Sequence, residues 1–212
     1  MTTIVGMTTP TETVLMVDSR LSIGNLREVS FSKLFTNNVS EGVPLIVPTF
    51  AIAAAGRSHS HQLVFNQLSD EMQPLIEARK VPWRPDDLAF DIALMARTIL
   101  RRQGIDLHQA EFLLALPGHL YAFNDTGDVH IPSRGYHAGG SGEGYALGAM
   151  CADDLLMING TTGVKPPLYI CANAMRVAAE LDLYTSGPFY WAHLTVDKNK
   201  SGTHLETGEV TA

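Results

Sequence analysis

Short apolar runs at the start of the chain predict a β-hairpin. Residues 3–6 and 13–17 are rich in β-forming side chains, and turn-forming residues lie between them at 9–12. Residues 45–48 are expected to be extended, and residues 50–55 form a further short strand of small side chains that stops at Gly56. The first quarter of the chain is therefore expected to be mainly β-structure, with a sharp turn at Gly56.

After position 59 the apolar residues recur every three or four positions, which predicts helices. One face of the first helix is made by Val64, Phe65, Leu68 and Met72. Pro74 is expected to end or kink this helix. A second helix is predicted to begin after Pro85, where two aspartates suit its N-terminus, and to end at residues 101–104. We expect the two helices to form one antiparallel layer.

The second half of the chain repeats the order of strands followed by helices. Strands are predicted at 112–116, 120–123, 129–131 and 189–195, with a turn at 124–128, and helices are predicted up to residue 155 and at 168–180. This order indicates an α+β fold, a four-layer αββα sandwich of two antiparallel sheets between helix layers. Residues 1–196 are expected to form one domain, and residues 197–212 a polar, mobile tail.

Composition and charge exclude several classes of function. With 212 residues and 45% hydrophobic positions, the chain can bury one full core. Its formal net charge of −7 and its scattered basic residues argue against nucleic acid as a partner. No signal-peptide pattern and no run of about 18 apolar residues is present, so we expect a cytoplasmic protein without a membrane span. Cys151 and Cys171 have no metal-type spacing and are expected to be reduced.

The second residue of the chain, Thr2, is a candidate nucleophile. A threonine directly behind the initiator methionine becomes N-terminal when Met1 is removed. It then carries both a hydroxyl and an amine, and an α-amino group titrates near pH 7.7 to 8.0, so the amine can take the proton of its own hydroxyl. This chemistry requires no histidine.

Several motifs resemble those of proteasome β-type subunits, including bacterial peptidase subunits of the HslV kind. They are Thr-Thr-Ile-Val-Gly at residues 2–6, Val-Asp-Ser-Arg at 17–20, and the segments 121–127 and 137–142. The resemblance extends to about residue 195. It implies the N-terminal-nucleophile (Ntn) hydrolase fold and a threonine peptidase with no cofactor and no metal.

The resemblance also implies a role for each matching residue. Thr2 would be the nucleophile, and Lys33 would lie beside its hydroxyl, where a cation favours the alkoxide. Asp18 would hold Lys33 charged and in place. Gly56 would donate its backbone N–H to the tetrahedral oxyanion.

A second group of residues would surround the threonine amine and the substrate. Ser141 would hydrogen-bond near the amine, and Asp182 with Ser186 or Thr185 would complete that network. One extra residue separates Asp182 from the Ser-Gly pair at 186–187, compared with the commonest family spacing, so either hydroxyl fits. Substrate would contact Arg20, Leu21, Ala54 and Ala55. With Ala54 as the floor of the pocket for the residue before the cut, a large apolar side chain would fit.

Two features depart from the family pattern. Residues 37–49 form an insertion between Lys33 and Gly56, which would reshape a substrate pocket or a ring contact. Met1 is present in the sequence, and an unprocessed Thr2 would lack the free amine.

The resemblance further implies an assembly. Identical chains would form rings stacked in pairs, with the active sites facing an enclosed chamber that takes unfolded polypeptide, with an ATP-dependent unfoldase as a potential partner. Two alternatives are a non-catalytic ring subunit of the same fold and an Ntn amidase that acts on a small amide.

Other chemistries fit the sequence less well. A Ser/His/Asp hydrolase would need a Gly-x-Ser-x-Gly elbow, which residues 138–142 match only loosely. His59 and His61 stand two residues apart at a helix start, a spacing that does not converge on one metal. The glycines at 140–144 do not have the spacing of a dinucleotide-binding fingerprint.

Overall fold

The structure is a computed structural model that describes residues 2–23, 26–29, 33–37, 49–56, 58–78, 81–105, 110–160, 163–197 and 202–211. The expected extended segment 45–48 and most of the insertion at 37–49 lie outside these residues. In the described part, no helix is long and apolar enough to cross a membrane.

Twelve strands and four helices are present in the described residues. The first half contains β1 (Thr3–Thr8), β2 (Glu12–Asp18), β3 (Arg20–Ile23), β4 (Leu26–Val29), β5 (Leu34–Asn37), β6 (Phe50–Gly56), α1 (Ser58–Ala78) and α2 (Pro85–Arg102). The second half contains β7 (Ala110–Leu116), β8 (His119–Asn124), β9 (Val129–His130), β10 (Tyr136–Gly140), α3 (Glu143–Ile158), α4 (Pro167–Leu181), β11 (Phe189–Asp197) and β12 (Gly202–Val210).

The strands form two five-stranded antiparallel sheets. Sheet 1 has the order β10-β1-β2-β11-β12, and sheet 2 has the order β5-β6-β7-β8-β9. Strands β3 and β4 pair with each other in a separate hairpin. The predicted hairpin at the start of the chain is confirmed, since Ile4 pairs with Val17 and Thr8 with Thr13.

Three apolar clusters define four layers. Ile4, Leu15 and Leu113 belong to a cluster between the two sheets. A second cluster packs sheet 2 against α1 and α2, and a third packs sheet 1 against α3 and α4. The αββα sandwich expected from the sequence is therefore confirmed. The alternation along β6 illustrates the reason: its even-numbered residues face the helices and its odd-numbered residues face the other sheet.

The expected mobile tail is wrong for residues 202–210. These residues form β12, which pairs with β11 along nine residues, from Phe189 opposite Val210 to Asp197 opposite Gly202. An edge strand needs a backbone ladder rather than an apolar sequence, and Leu205 packs against the cluster between the sheets. The polar composition of this segment concealed the strand.

Of the two outcomes expected at Pro74, an end or a kink of the first helix, the end does not occur there. Pro74 lies inside α1, which continues to Ala78. Proline removes one backbone hydrogen bond from a helix interior, but α1 is also held by Val64, Leu68 and Met72 in the cluster beneath it. Tertiary packing therefore outweighs the local preference.

Candidate active site

Three chain segments meet at the end of sheet 1 where β1 begins. Thr2 stands directly before β1, Asp18 is the last residue of β2, and Lys33 stands directly before β5. The backbone N–H of Thr3 donates to Asp18 Oδ1 at 3.3 Å, and Ala54 N donates to the Lys33 carbonyl at 2.9 Å. The antiparallel pairing of β1 with β2 and of β5 with β6 therefore brings together residues that are far apart in sequence.

Asp18 and Lys33 form a buried ion pair. Lys33 Nζ lies 2.7 Å from Asp18 Oδ1, and the two side chains are 1% and 0% exposed respectively. Lys33 Nζ also donates to the carbonyl of Arg20. An ammonium group has three donors, so the described contacts leave one N–H for another acceptor. Within the described residues, Asp18 Oδ2 has no hydrogen-bond partner.

Burial shifts the pKa of both members of this pair. It raises the pKa of Asp18 to about 6, although Lys33 and the hydrogen bond from Thr3 act to lower it. Burial likewise lowers the pKa of Lys33, while the attraction of Asp18 opposes that change. The pair is therefore held at a cost in desolvation, and each charge depends on the other.

A glycine-rich turn holds the backbone of Thr2. Ser141 N donates to the carbonyl of Thr2 at 3.0 Å. Gly140 has a φ of +89°, and a Cβ at this position would lie 1.8 Å from the Thr2 carbonyl oxygen. Gly142 N donates to Thr3 Oγ1 at 3.0 Å, and a Cβ there would lie 2.4 Å from the same hydroxyl. Glycine is therefore required at both positions for β1 to approach the turn.

Hydroxyl groups link this turn to Asp182, which follows α4. Ser141 Oγ donates to Asp182 Oδ2 at 2.7 Å, and Thr185 Oγ1 donates to the same oxygen at 2.6 Å. Thr185 Oγ1 also lies 2.5 Å from Thr3 Oγ1. Partial burial acts to raise the pKa of Asp182, but the bonds from Thr185 and Ser141 outweigh it and the net shift is downward. Asp182 therefore stays an acceptor for both hydroxyls.

The structure places Thr185, rather than Ser186, in this network. Thr185 is 2% exposed and contacts both Asp182 and Thr3. The described contact of Ser186 is through its backbone, because its carbonyl accepts a hydrogen bond from Ser19 Oγ at 3.5 Å. Of the two hydroxyl residues that the sequence left open, Thr185 is therefore the one that joins this network. Thr3 is a further member of the site that sequence reasoning missed, although its neighbour Thr2 was chosen.

The four residues expected to contact substrate lie on strands β3 and β6, and the two on β6 are fully buried. Arg20 donates through Nη1 to the carbonyl of Leu183, so its guanidinium ties β3 to the loop after α4. Ala54 and Ala55 are fully buried on opposite faces of β6, Ala54 toward the helices and Ala55 between the sheets. Leu21 lies on β3. Gly56 ends β6, is exposed and has a φ of +115°, consistent with the sharp turn predicted there.

His61 is buried on α1 without hydrogen bonds from the described residues. The residue is 0% exposed, and neither ring nitrogen has a partner in that part of the chain. Burial, with a smaller contribution from Lys33, lowers the pKa of His61 to about 4, so the ring is neutral at physiological pH. Among the described residues, no three His, Cys, Asp or Glu side chains come together as a metal ion would require.

Comparisons with known proteins identify the fold. No protein-family model matches the chain, and no curated protein sequence does. Among solved structures, Thiobacillus denitrificans BPH in complex with epoxomicin is 17% identical, with a TM-score of 0.65 over 92% of this chain and 99% of that chain. HslV from Trypanosoma brucei is 19% identical, with a TM-score of 0.57 over 98% of this chain and 99% of that chain.

A third similar structure covers the whole chain. The Anbu (Gly-1) mutant from Hyphomicrobium sp. strain MC1 is 11% identical, with a TM-score of 0.74 over 100% of this chain and 88% of that chain. At these identities the likeness shows a shared fold. The chain therefore has the αββα fold of BPH, HslV and Anbu.

Proposed function

We propose that the chain is a threonine endopeptidase whose nucleophile is Thr2, and that it acts in a ring of identical subunits. The observation that carries this proposal is the buried Asp18–Lys33 pair at the edge of the sheet where Thr2 stands. A buried cation beside a hydroxyl stabilises the alkoxide, and a serine or threonine without such help is a weak nucleophile. The shared fold with HslV and BPH supports the same reading.

The reaction begins once removal of Met1 has freed the amine of Thr2. Thr2 Oγ1 attacks the carbonyl carbon of the scissile peptide while its proton passes to the neutral α-amine, directly or through a water. The remaining N–H of Lys33 faces the developing alkoxide, and Asp18 keeps that ammonium charged. The backbone N–H of Gly56 donates to the oxyanion.

Collapse of the tetrahedral intermediate breaks the peptide bond. The leaving amine takes the proton from the Thr2 ammonium, and the acyl group remains as an ester on Thr2 Oγ1. Water then attacks this ester and gives a proton to the α-amine. As the ester bond breaks, the resulting ammonium returns that proton to Thr2 Oγ1, which restores the hydroxyl and the free amine and releases the acyl group as a carboxylic acid. Ser141, Thr185 and Asp182 orient the N-terminal residue during both halves, and no metal or cofactor takes part.

The proposed assembly follows from the same fold. We expect rings of this chain, stacked in pairs, that enclose the active sites and admit unfolded polypeptide in the cytoplasm, with an ATP-dependent unfoldase as the partner that supplies it. Several apolar side chains of α3 and α4 are exposed, among them Leu155, Ile158 and Tyr169, and burial between subunits would cover them. We do not assign Ala54 to the pocket for the residue before the cut, because its side chain is fully buried toward α1 and α2.

Intact-mass spectrometry with two covalent probes tests the proposal. A β-lactone acylates the threonine hydroxyl alone, whereas the epoxyketone epoxomicin requires both the hydroxyl and the free amine. We expect loss of Met1 and one adduct per chain at Thr2 with each probe, and no adduct with Thr2→Ala or Lys33→Ala. Ser133→Ala, in the exposed loop after β9, is the matched control and should label like the wild type.

The outcomes separate the candidate functions. Retained Met1 with no adduct on a folded ring would contradict the proposal and favour a non-catalytic subunit. An adduct on a monomer or simple dimer, measured by light scattering, would favour an amidase over a ring protease.

A further inference from the structure

Glu111 is the second residue of β7, the strand of sheet 2 that pairs with β6. It is the exposed position in an otherwise buried strand, and its backbone stands opposite Ala55, the residue before Gly56. Its neighbours on both sides, Ala110 and Phe112, belong to the apolar core, which does not account for a carboxylate at this point. Its side chain instead reaches across to sheet 1.

The carboxylate of Glu111 holds the backbone of the glycine turn beside Thr2. Glu111 Oε2 accepts a hydrogen bond from Gly140 N at 2.9 Å. A Cβ at Gly139 would lie 2.8 Å from the same oxygen, and a Cβ at Gly140 would lie 1.8 Å from the Thr2 carbonyl. Glycine is therefore required at these two successive positions for different reasons: Gly139 leaves space for the Glu111 carboxylate, and Gly140 leaves space for the Thr2 carbonyl.

A short series of contacts connects this carboxylate to the proposed nucleophile. The backbone N–H of Gly140 donates a hydrogen bond to Glu111. The next backbone N–H, that of Ser141, donates to the Thr2 carbonyl at 3.0 Å. The hydroxyl of Ser141 donates to Asp182. The turn is thus held by sheet 2 on one side and by the loop after α4 on the other. Loss of either hold would free the peptide that fixes Thr2.

The charge of Glu111 affects the pKa values of two neighbouring side chains. Burial raises the pKa of Glu143, the first residue of α3, and Glu111 raises it further. Burial also lowers the pKa of His137, with a contribution from His130, while Glu111 opposes that change. Because a charge-assisted hydrogen bond is stronger than a neutral one, the Gly140 amide is a favourable partner for this carboxylate.

We propose that Glu111 is a positioning residue of the threonine site: its carboxylate fixes the Gly140 N–H, and through it the Ser141 N–H that holds Thr2. Its effect on catalysis rests on the proposed function, whereas its effect on the turn does not. Glu111 acts through the turn and contacts neither the hydroxyl nor the oxyanion site. Misplacement of a nucleophile by a fraction of an ångström to one ångström lowers the reaction rate strongly while leaving substrate binding nearly unchanged.

Three substitutions separate the hydrogen bond from the charge. Glu111→Gln keeps an acceptor oxygen and removes the charge. Glu111→Asp keeps the charge but withdraws it by one methylene, and Glu111→Ala removes both. Glu77→Ala, an exposed glutamate near the end of α1, is the matched control.

Two readouts are compared on the assembled full-length protein. Hydrogen-exchange mass spectrometry of peptides that cover residues 138–142 reports the hold on Gly140 and Ser141. Steady-state peptide hydrolysis and the rate of epoxomicin labelling report Thr2. For Glu111→Ala and Glu111→Asp we expect about tenfold faster exchange and about tenfold lower kcat and labelling rate, with KM within about twofold. Glu111→Gln should stay within about threefold of the wild type.

Contrary results would have distinct meanings. Unchanged exchange at residues 138–142 in Glu111→Asp would overturn the positioning role, even if Glu111→Ala fails to fold. Equal loss in Glu111→Gln and Glu111→Ala, with Glu111→Asp at the wild-type level, would overturn it too, since charge rather than the hydrogen bond to Gly140 would then matter. A wild type that no probe labels would defeat the proposed function, and the exchange comparison would still decide the role of Glu111.

Discussion

Replacement of Asp18 by Asn should destabilise the protein far more than a surface substitution. The change keeps the shape of the side chain and an acceptor for Thr3 N, but it leaves the ammonium of Lys33 buried without a counter-charge. Both side chains are at most 1% exposed, so solvent cannot replace the lost attraction. Removal of one partner from a buried pair costs about 3–5 kcal/mol, and the retained acceptor favours the lower end.

The expected change in melting temperature follows from the size of the chain. For a domain of this length, each kcal/mol shifts Tm by about 2–4 °C, so Asp18→Asn should lower it by roughly 6–20 °C. Scanning calorimetry at one fixed protomer concentration measures this, because assembly would otherwise shift Tm. Asp70→Asn, an exposed aspartate on α1, is the control and should change stability by about 0.5 kcal/mol or less.

Lys33→Met completes a double-mutant cycle. In this variant Asp18 is buried without a cation, and its pKa, already about 6, rises further. The destabilisation should therefore be smaller at pH 5, where the carboxyl is protonated, than at pH 8. The combined Asp18→Asn, Lys33→Met variant should be more stable than the sum of the two changes predicts. An Asp18→Asn variant within about 1 kcal/mol of the wild type, or strict additivity, would refute the account of a buried, mutually dependent pair.

Four further predictions concern the same site. Thr185→Val should slow epoxomicin labelling and cost about 1–3 kcal/mol of stability, because it leaves the buried hydroxyl of Thr3 and the carboxylate of Asp182 without this partner. Ser186→Ala should have neither effect. Equal effects of the two changes in calorimetry and labelling assays would contradict the assignment to Thr185. Gly140→Ala should abolish labelling at Thr2, since its Cβ would lie 1.8 Å from the Thr2 carbonyl oxygen and its φ is positive, and a labelled variant would mean that the turn is not required. Because burial raises the pKa of Asp18 from 3.8 to about 6, the folded state keeps a proton on Asp18 that the unfolded chain releases between these values, so this titration lowers the stability of the wild type as pH rises from about 4 through 6. Asp18→Asn lacks this titration, and the difference in stability between the two proteins should therefore change over that range in denaturant titrations. Over the same range the labelling rate of the wild type should rise with pH as Asp18 ionises, and a rate that stays flat from pH 5 to 7 would contradict this.

The fold could be predicted from sequence because its signals are local or short. The alternation of residues 3–6 and 13–17 specifies a hairpin, and a hairpin places Asp18 beside the residue that follows Thr2. Lys33 entered by resemblance, and the structure adds the 2.7 Å contact with Asp18. The glycines at 140–144 stand out in the sequence, but the close approach of Thr2 and Thr3 that requires Gly140 and Gly142 could not be read from it.

The rest of the site depends on which way individual side chains point, and hydrophobic periodicity does not specify this. Thr185 and Ser186 are adjacent in an irregular loop, where no repeating pattern specifies which side chain points inward. The bond from Gly140 to Glu111 spans 29 residues and joins two sheets, so no motif contains it. His61 was considered in the sequence only as a metal ligand with His59, and its full burial beside Phe65 could not be read from that spacing.

Strand β12 protects the edge of sheet 1 against aggregation with other molecules of the same protein. It is the outer strand of sheet 1 and carries the exposed charges of Glu206 and Glu209. Without it, the nine-residue hydrogen-bonding edge of β11, which includes Trp191 and Leu194, would be open to the strands of other molecules. The charges of Glu206 and Glu209 make this segment look unlike a strand in the sequence. The same charges oppose the pairing of its outer edge with strands of other molecules, and so reduce aggregation. A chain shortened before residue 202 should scatter light at concentrations where the full chain does not.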